Sequence, residues 1–250
     1  MRSHFLAIHP LIGTKHKPSA LHLQQRSPYY WWWAYLRRNE DYWRCCDMGG
    51  TGPLADLYAD FGDVRDDDFA EWWGRSTQRG ALLFAEKPVE LKLQKLATPA
   101  DWLTEWQGKD EVMVVAVNMA IGRRKLQSYF ANLLQDEHKG RRGRIALGKV
   151  NSTATYQLHR NFTVHSLKQM LATYDAWLAN QRLPKAEQRP LWAVGESIKL
   201  VGSAMPAKGD IAGDRTVKHN IMTVAVSRYV KQAKAIIANT GLGKFPKSTL

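Results

Sequence analysis

Long apolar runs are missing from this chain: no stretch approaches the roughly 18 residues that a membrane-spanning helix needs. No membrane partner is therefore expected. Cysteine is almost absent. Cys45 and Cys46 are the only two, adjacent positions are a poor geometry for a disulfide, and two thiols are too few for a structural zinc centre. A secretory signal pattern is also lacking in residues 1–28, where the apolar start Phe5-Leu6-Ala7-Ile8 stops at His9-Pro10. These absences together predict a reducing, cytoplasmic setting.

Catalytic signatures are missing as well. Gly148-Lys149-Val150 and Gly243-Lys244-Phe245 have neither the preceding glycine spacing nor the following Ser/Thr of a phosphate-binding P-loop. The chain has no His-Glu-x-x-His, no Gly-x-Ser-x-Gly and no dinucleotide-binding glycine fingerprint. His159 and His165 lack neighbouring Cys or carboxylate ligands, and His159-Arg160 with Tyr174 lacks the His-x-x-Arg spacing of a tyrosine recombinase. Asp66-Asp67-Asp68 precedes Phe69-Ala70-Glu71-Trp72-Trp73 and reads as a helix start, where side-chain oxygens cap free amides. No catalytic residue, cofactor or metal site is expected.

Acidic residues are scarce in one part of the chain only. Residues 1–110 carry 14 Lys and Arg against 15 Asp and Glu, whereas residues 111–250 carry 22 against 8. The entire net charge of +13 thus arises in the second part, a pattern that predicts a surface facing a polyanion.

What is present divides accordingly. Residues 1–27 form a basic arm without an acidic residue. Residues 28–98 read as an aromatic, acidic helical docking domain. Its first helix would run from Pro28 to about Cys46, before the breaker Gly49-Gly50-Thr51-Gly52-Pro53. Residues 99–250 read as a basic region with a possible sub-boundary near 181–190, between Pro184 and Pro190. It opens with the amphipathic stretch 99–106. A strand is expected at 111–119, and helices at 122–134, 163–179, 191–200 and 223–239. The fold class is α+β, mainly α.

Three basic constellations stand out. Arg123, Arg124 and Lys125 begin a helix, where free amides and cations can together hold a phosphate. Lys139, Arg141, Arg142, Arg144 and Lys149 alternate with glycines in a loop that can follow a curved backbone, with Arg160 beyond it. Arg228, Lys231 and Lys234 recur at helical spacing away from Tyr229, Ala233 and Ile237, after Lys218-His219-Asn220. Residues 201–219 are too long to be the turn of a helix-turn-helix pair.

Trp31, Trp32 and Trp33 are consecutive. On a helix they spread over roughly 200°, more than the somewhat over 100° that one buried stripe covers. Either several elements enclose this helix or an indole faces a partner. Trp31, Trp32, Trp33, Arg37, Arg38, Trp72 and Trp73 are the expected protein-partner residues.

Residues 31–42, Trp-Trp-Trp-Ala-Tyr-Leu-Arg-Arg-Asn-Glu-Asp-Tyr, resemble the transcriptional regulator-like domain of proteobacterial mobile-element proteins. That family carries Trp-Ala-Trp-Glu-Phe-Leu-Arg-Arg-Asn-Pro-x-Tyr in this register. Trp31, Trp33, Leu36, Arg37, Arg38, Asn39 and Tyr42 match, while Tyr35 stands for Phe and Glu40 for Pro. The likeness covers about a dozen residues, is weak to about residue 86 and is absent beyond. It implies a bacterial regulator-like or mobile-element-associated DNA-binding protein and supplies no catalytic residue. The combined expectation is a non-enzymatic nucleic-acid-binding protein, with DNA ahead of RNA, from a mobile-element or defence locus. The alternatives are a scaffold subunit of a ribonucleoprotein and, third, a nuclease with dispersed catalytic residues.

Overall fold

The computed structural model describes residues 5–14, 16–66, 68–74, 80–86, 115–137, 152–159 and 163–249. The chain divides into a body, residues 1–87 and 146–250, and a second unit, residues 88–145. The fold is mainly α, with one two-stranded sheet among the described residues. That sheet lies in the basic arm, where β1 (Gly13–Thr14) pairs antiparallel with β2 (Lys17–Pro18). Gly13 has φ +74, and a Cβ there would collide with the Lys17 carbonyl oxygen, so the hairpin requires glycine. The arm lies on the chain's own core: Ala7 N donates to the Tyr29 hydroxyl, and the Phe5 and His9 rings pack against Trp73.

After the short α1 (Leu21–Gln24), α2 (Pro28–Leu36) starts where the sequence predicts. Ser27 Oγ accepts a hydrogen bond from Tyr29 N, and Pro28 occupies the first turn. The single helix expected to reach about Cys46 is instead two. Asn39 turns extended and its Oδ1 accepts from Tyr42 N, which begins α3 (Glu40–Asp47). An asparagine side chain competes with the backbone for helical hydrogen bonds, and here it wins. Three short helices follow: α4 (Ala55–Phe61), α5 (Phe69–Gly74) and α6 (Gly80–Phe84). The expected helix start at the aspartates is seen directly, with Asp68 Oδ1 accepting from Glu71 N.

The three consecutive tryptophans are enclosed on every side, with exposures of 4, 0 and 1% for Trp31, Trp32 and Trp33. Trp31 Nε1 donates to the Gln25 carbonyl at 2.8 Å. Trp32 packs among Phe61, Phe84, Tyr156 and Phe245. Trp33 packs edge-on to Phe69, with the Arg37 guanidinium 4.6 Å above its ring. Trp72 and Trp73 are buried too; Trp72 Nε1 donates to the Phe61 carbonyl, and Trp73 stacks on Phe84. The expectation that these five tryptophans meet a protein partner is therefore corrected. One stripe cannot hide three successive indoles, but short helices on one side and long ones on the other can.

Those long helices are α8 (Val164–Gln181) and α10 (Ala212–Gly241), joined through α9 (Leu191–Ser197) and a 3-10 turn at Gly202–Ala204. Tyr35 Oη donates to the Leu167 carbonyl of α8, and Asn39 Nδ2 to the Ile237 carbonyl of α10. Arg38 grips Asp175 of α8 with two hydrogen bonds, Nε to Oδ1 at 3.1 Å and Nη2 to Oδ2 at 2.7 Å. Arg37 donates to the Arg65 carbonyl. The Arg37-Arg38-Asn39 run thus braces the fold from within, correcting the partner role expected of the two arginines.

The boundary expected near 98 also gives way. The aromatic segment, α8 and α10 share one core, and a smaller core around Met222, Val226 and Leu200 joins α9 to α10. Residues 181–190 form a connector and not a boundary, because Asn180 clasps Arg189 through both of its amide atoms and the helices on either side pack on α10. The body closes around Glu86, whose carboxylate accepts from Ser152 Oγ, Thr153 N and Thr153 Oγ1 at 2.7, 2.6 and 2.9 Å.

In the second unit, α7 (Arg123–Glu137) matches the expected helix. The strand expected at 111–119 is not seen in its described part. Residues 115–118 are irregular, and Val115, Val117 and Met119 are exposed. Residues 99–106 lie outside the described residues.

Candidate nucleic-acid interface

No proline interrupts residues 212–241, and glycine occurs only at positions 213 and 241, so α10 runs for 30 residues. It begins 11 residues before the position expected from periodicity. Lys218, His219 and Asn220 are therefore helical and do not belong to a connector. One face buries Met222, Val226, Val230, Ala233 and Ile236. Gly195 of α9 permits close crossing there, since a Cβ would lie 2.5 Å from Met222 and 2.8 Å from Val226. His219 stacks on Trp192 at 3.8 Å, fixing the same crossing.

Arg228, Lys231 and Lys234 are exposed on this helix. Among the described residues none of them is in an ion pair. Lys234 Nζ lies 4.0 Å from the centre of the Trp177 ring, and the Arg228 guanidinium 5.2 Å from that of Tyr229. A ring beneath a cation fixes its position without neutralising its charge.

The two lysines edge an open groove of about 910 Å³. Its floor is Trp177, Leu191, Val226 and Val230, its far wall is Ser248 and Thr249, and no Asp or Glu among the described residues lines it. A groove with a flat apolar floor, hydroxyls on one wall and two ammonium groups suits a ligand with apolar faces and negative charge. Nucleic acid has both. Periodicity could assign the lysines, but Trp177 and the C-terminal wall were not legible as part of the site, because only tertiary packing brings them to α10.

Lys218 does not join this surface. Its Nζ donates to both Asp210 oxygens at 2.7 Å, and the pair is mostly covered. The Lys218 hydrogen bond, aided by Ala207 N, holds the Asp210 carboxyl below its ordinary range. A lysine committed to an internal carboxylate is unavailable to phosphate, so the expected role is corrected. Arg123, Arg124 and Lys125 of the second unit are exposed in the first turn of α7, which contains no acidic residue. Lys139, Arg141, Arg142, Arg144, Lys149 and Arg160 lie outside the described residues.

His159 is held below its usual pKa by burial and by Lys244 and Lys247. Cys45 and Cys46 are buried free thiols, and burial pushes Cys46 up to about 11. Neither group faces the groove. Among the described residues no cluster of three His, Cys, Asp or Glu can hold a metal ion, and no helix is long and apolar enough to cross a membrane. Comparisons with protein-family models, with curated proteins and with solved structures return no match to this chain.

Proposed function

We propose that this chain is a non-enzymatic nucleic-acid-binding protein, in the first instance a DNA-binding regulator or accessory factor, that grips phosphates with Lys231 and Lys234. The observation that carries the reading is their placement. Both are exposed, and among the described residues unpaired with any carboxylate, on a helix whose other face is locked into the core. Such a helix fixes the backbone from which both lysines project, and the Trp177 ring further positions Lys234. The charge excess of residues 111–250 supports the same partner, as does the mobile-element resemblance of residues 31–42. The tryptophan floor also supports a second reading, binding of single-stranded DNA or RNA, in which Lys234 swings to a phosphate and an unstacked base replaces it over the Trp177 ring.

The test is a Lys231→Glu/Lys234→Glu double variant titrated with duplex and with single strands across a salt series, its folding checked by circular dichroism. Each lost phosphate contact should lower the salt slope by roughly one unit. A folded variant with unaltered affinity and slope for every strand type overturns the assignment. A loss confined to single strands selects the second reading.

A further inference from the structure

The first half of α10 carries a feature that nucleic-acid binding does not use. Val217, Ile221 and Val224 are 58, 46 and 66% exposed and succeed one another at spacings of four and three. The same line continues to Asp214 at one end and Arg228 at the other, both exposed. Alternating spacings of three and four make a coiled-coil seam, here with a Val-Ile-Val centre and opposite charges at its ends. Met222 and Val226 face the core from the other side of the helix, so the seam is not a misplaced part of that core.

A seam ended by one acid and one base is complementary to itself in one direction only. In a parallel pair Asp214 would meet Asp214 and Arg228 would meet Arg228. In an antiparallel pair centred on Ile221, Val217 lies beside Val224 of the second copy, and Asp214 beside its Arg228. We propose that the chain associates with a second copy of itself through this seam, as a two-fold antiparallel pair of α10 helices. The contact is isologous and closes at two.

The arrangement also bears on the ligand, a point that rests on the nucleic-acid reading above. Lys231 and Lys234 lie ten and thirteen residues from Ile221. At 1.5 Å per residue the two copies of Lys231 are about 30 Å apart and those of Lys234 about 39 Å. The two-fold axis keeps all four on one side of the helix pair. This span brackets the roughly 34–36 Å repeat at which dimeric proteins meet successive turns of a duplex. Arg228 then belongs to the seam, and the phosphate contacts fall to the lysines.

Sedimentation equilibrium of the full chain without nucleic acid, up to high micromolar concentration, tests the association. The native chain should show a monomer–dimer equilibrium and Ile221→Lys should remain monomeric. Asp214→Arg and Arg228→Asp should each weaken the dimer about tenfold, by placing like charges together, and the double reversal should recover most of the loss. Asp214 also accepts from Ile211 N at the helix start. Recovery in the double variant separates the two roles, because reversing Arg228 cannot restore that cap. A native chain monomeric throughout, or a dimer indifferent to Ile221→Lys, overturns the proposal. If Lys231→Glu/Lys234→Glu dimerises normally but binds nucleic acid like the native chain, the nucleic-acid reading fails alone.

Discussion

The aromatic segment and the last helix both carry arginines or lysines beside aromatic rings, yet they use them oppositely. Around α2 and α3 three arginines are committed within the fold, Arg38 to Asp175, Arg65 to Asp63 and Asp47, Arg37 to the Arg65 carbonyl and the Trp33 ring, while Arg44 pairs with Asp41 on the surface. On α10, Lys231 and Lys234 are in no ion pair among the described residues. The difference is one of placement: Arg38 reaches an aspartate on α8 and Lys218 of α10 finds Asp210, whereas among the described residues no carboxylate pairs with Lys231 or Lys234. A motif of Trp and Arg is therefore no evidence of a docking surface until the local carboxylates have been counted.

The largest test of this contrast is Trp32→Ala. Truncating a fully buried indole ringed by Phe61, Phe84 and Phe245 should cost about 3–5 kcal/mol in chemical denaturation. Trp31→Ala and Trp33→Ala should behave similarly, and a folded variant impaired only in assembly would return the segment to an interface role. Asn39→Ala comes next. It removes the cap of α3 and the hydrogen bond that ties it to the Ile237 carbonyl, together about 1–3 kcal/mol.

A smaller effect is expected at the Arg38–Asp175 pair, whose side chains are partly solvated. A double-mutant cycle should give a coupling of about 1 kcal/mol, reduced by salt. The smallest concerns Asp210. Its folded pKa is depressed, so the stability it adds is present above its unfolded pKa of about 4 and is lost as pH falls through the lower folded value. Lys218→Met should flatten the acid limb of the stability–pH profile below about pH 4 and leave nucleic-acid affinity at neutral pH unchanged. Loss of affinity would put Lys218 back on the binding surface.

Helices with strong periodicity, α7 and α8, were legible from sequence because each needs only its own apolar spacing. The break at Asn39 was not, since its reward is a carbonyl on α10, 198 positions away. The first eleven residues of α10 escaped detection for a related reason. Val217, Ile221 and Val224 lie on a face that the body does not cover, so they blur the stripe that periodicity seeks. Lys231 and Lys234 could be placed on an exposed face from spacing alone. Lys218 could not be struck from the site without knowing where Asp210 falls.

The clasp at Glu86 has a consequence for chain entropy. It ties together two points separated by residues 87–151, so that excursion leaves and re-enters the body at one place. A linker of about eight residues in place of those 65 has only that short gap to close, and a short closure costs little chain entropy. The shortened chain should therefore fold and keep the melting temperature of the body. The second unit is then cargo inserted at a gate the body already holds shut.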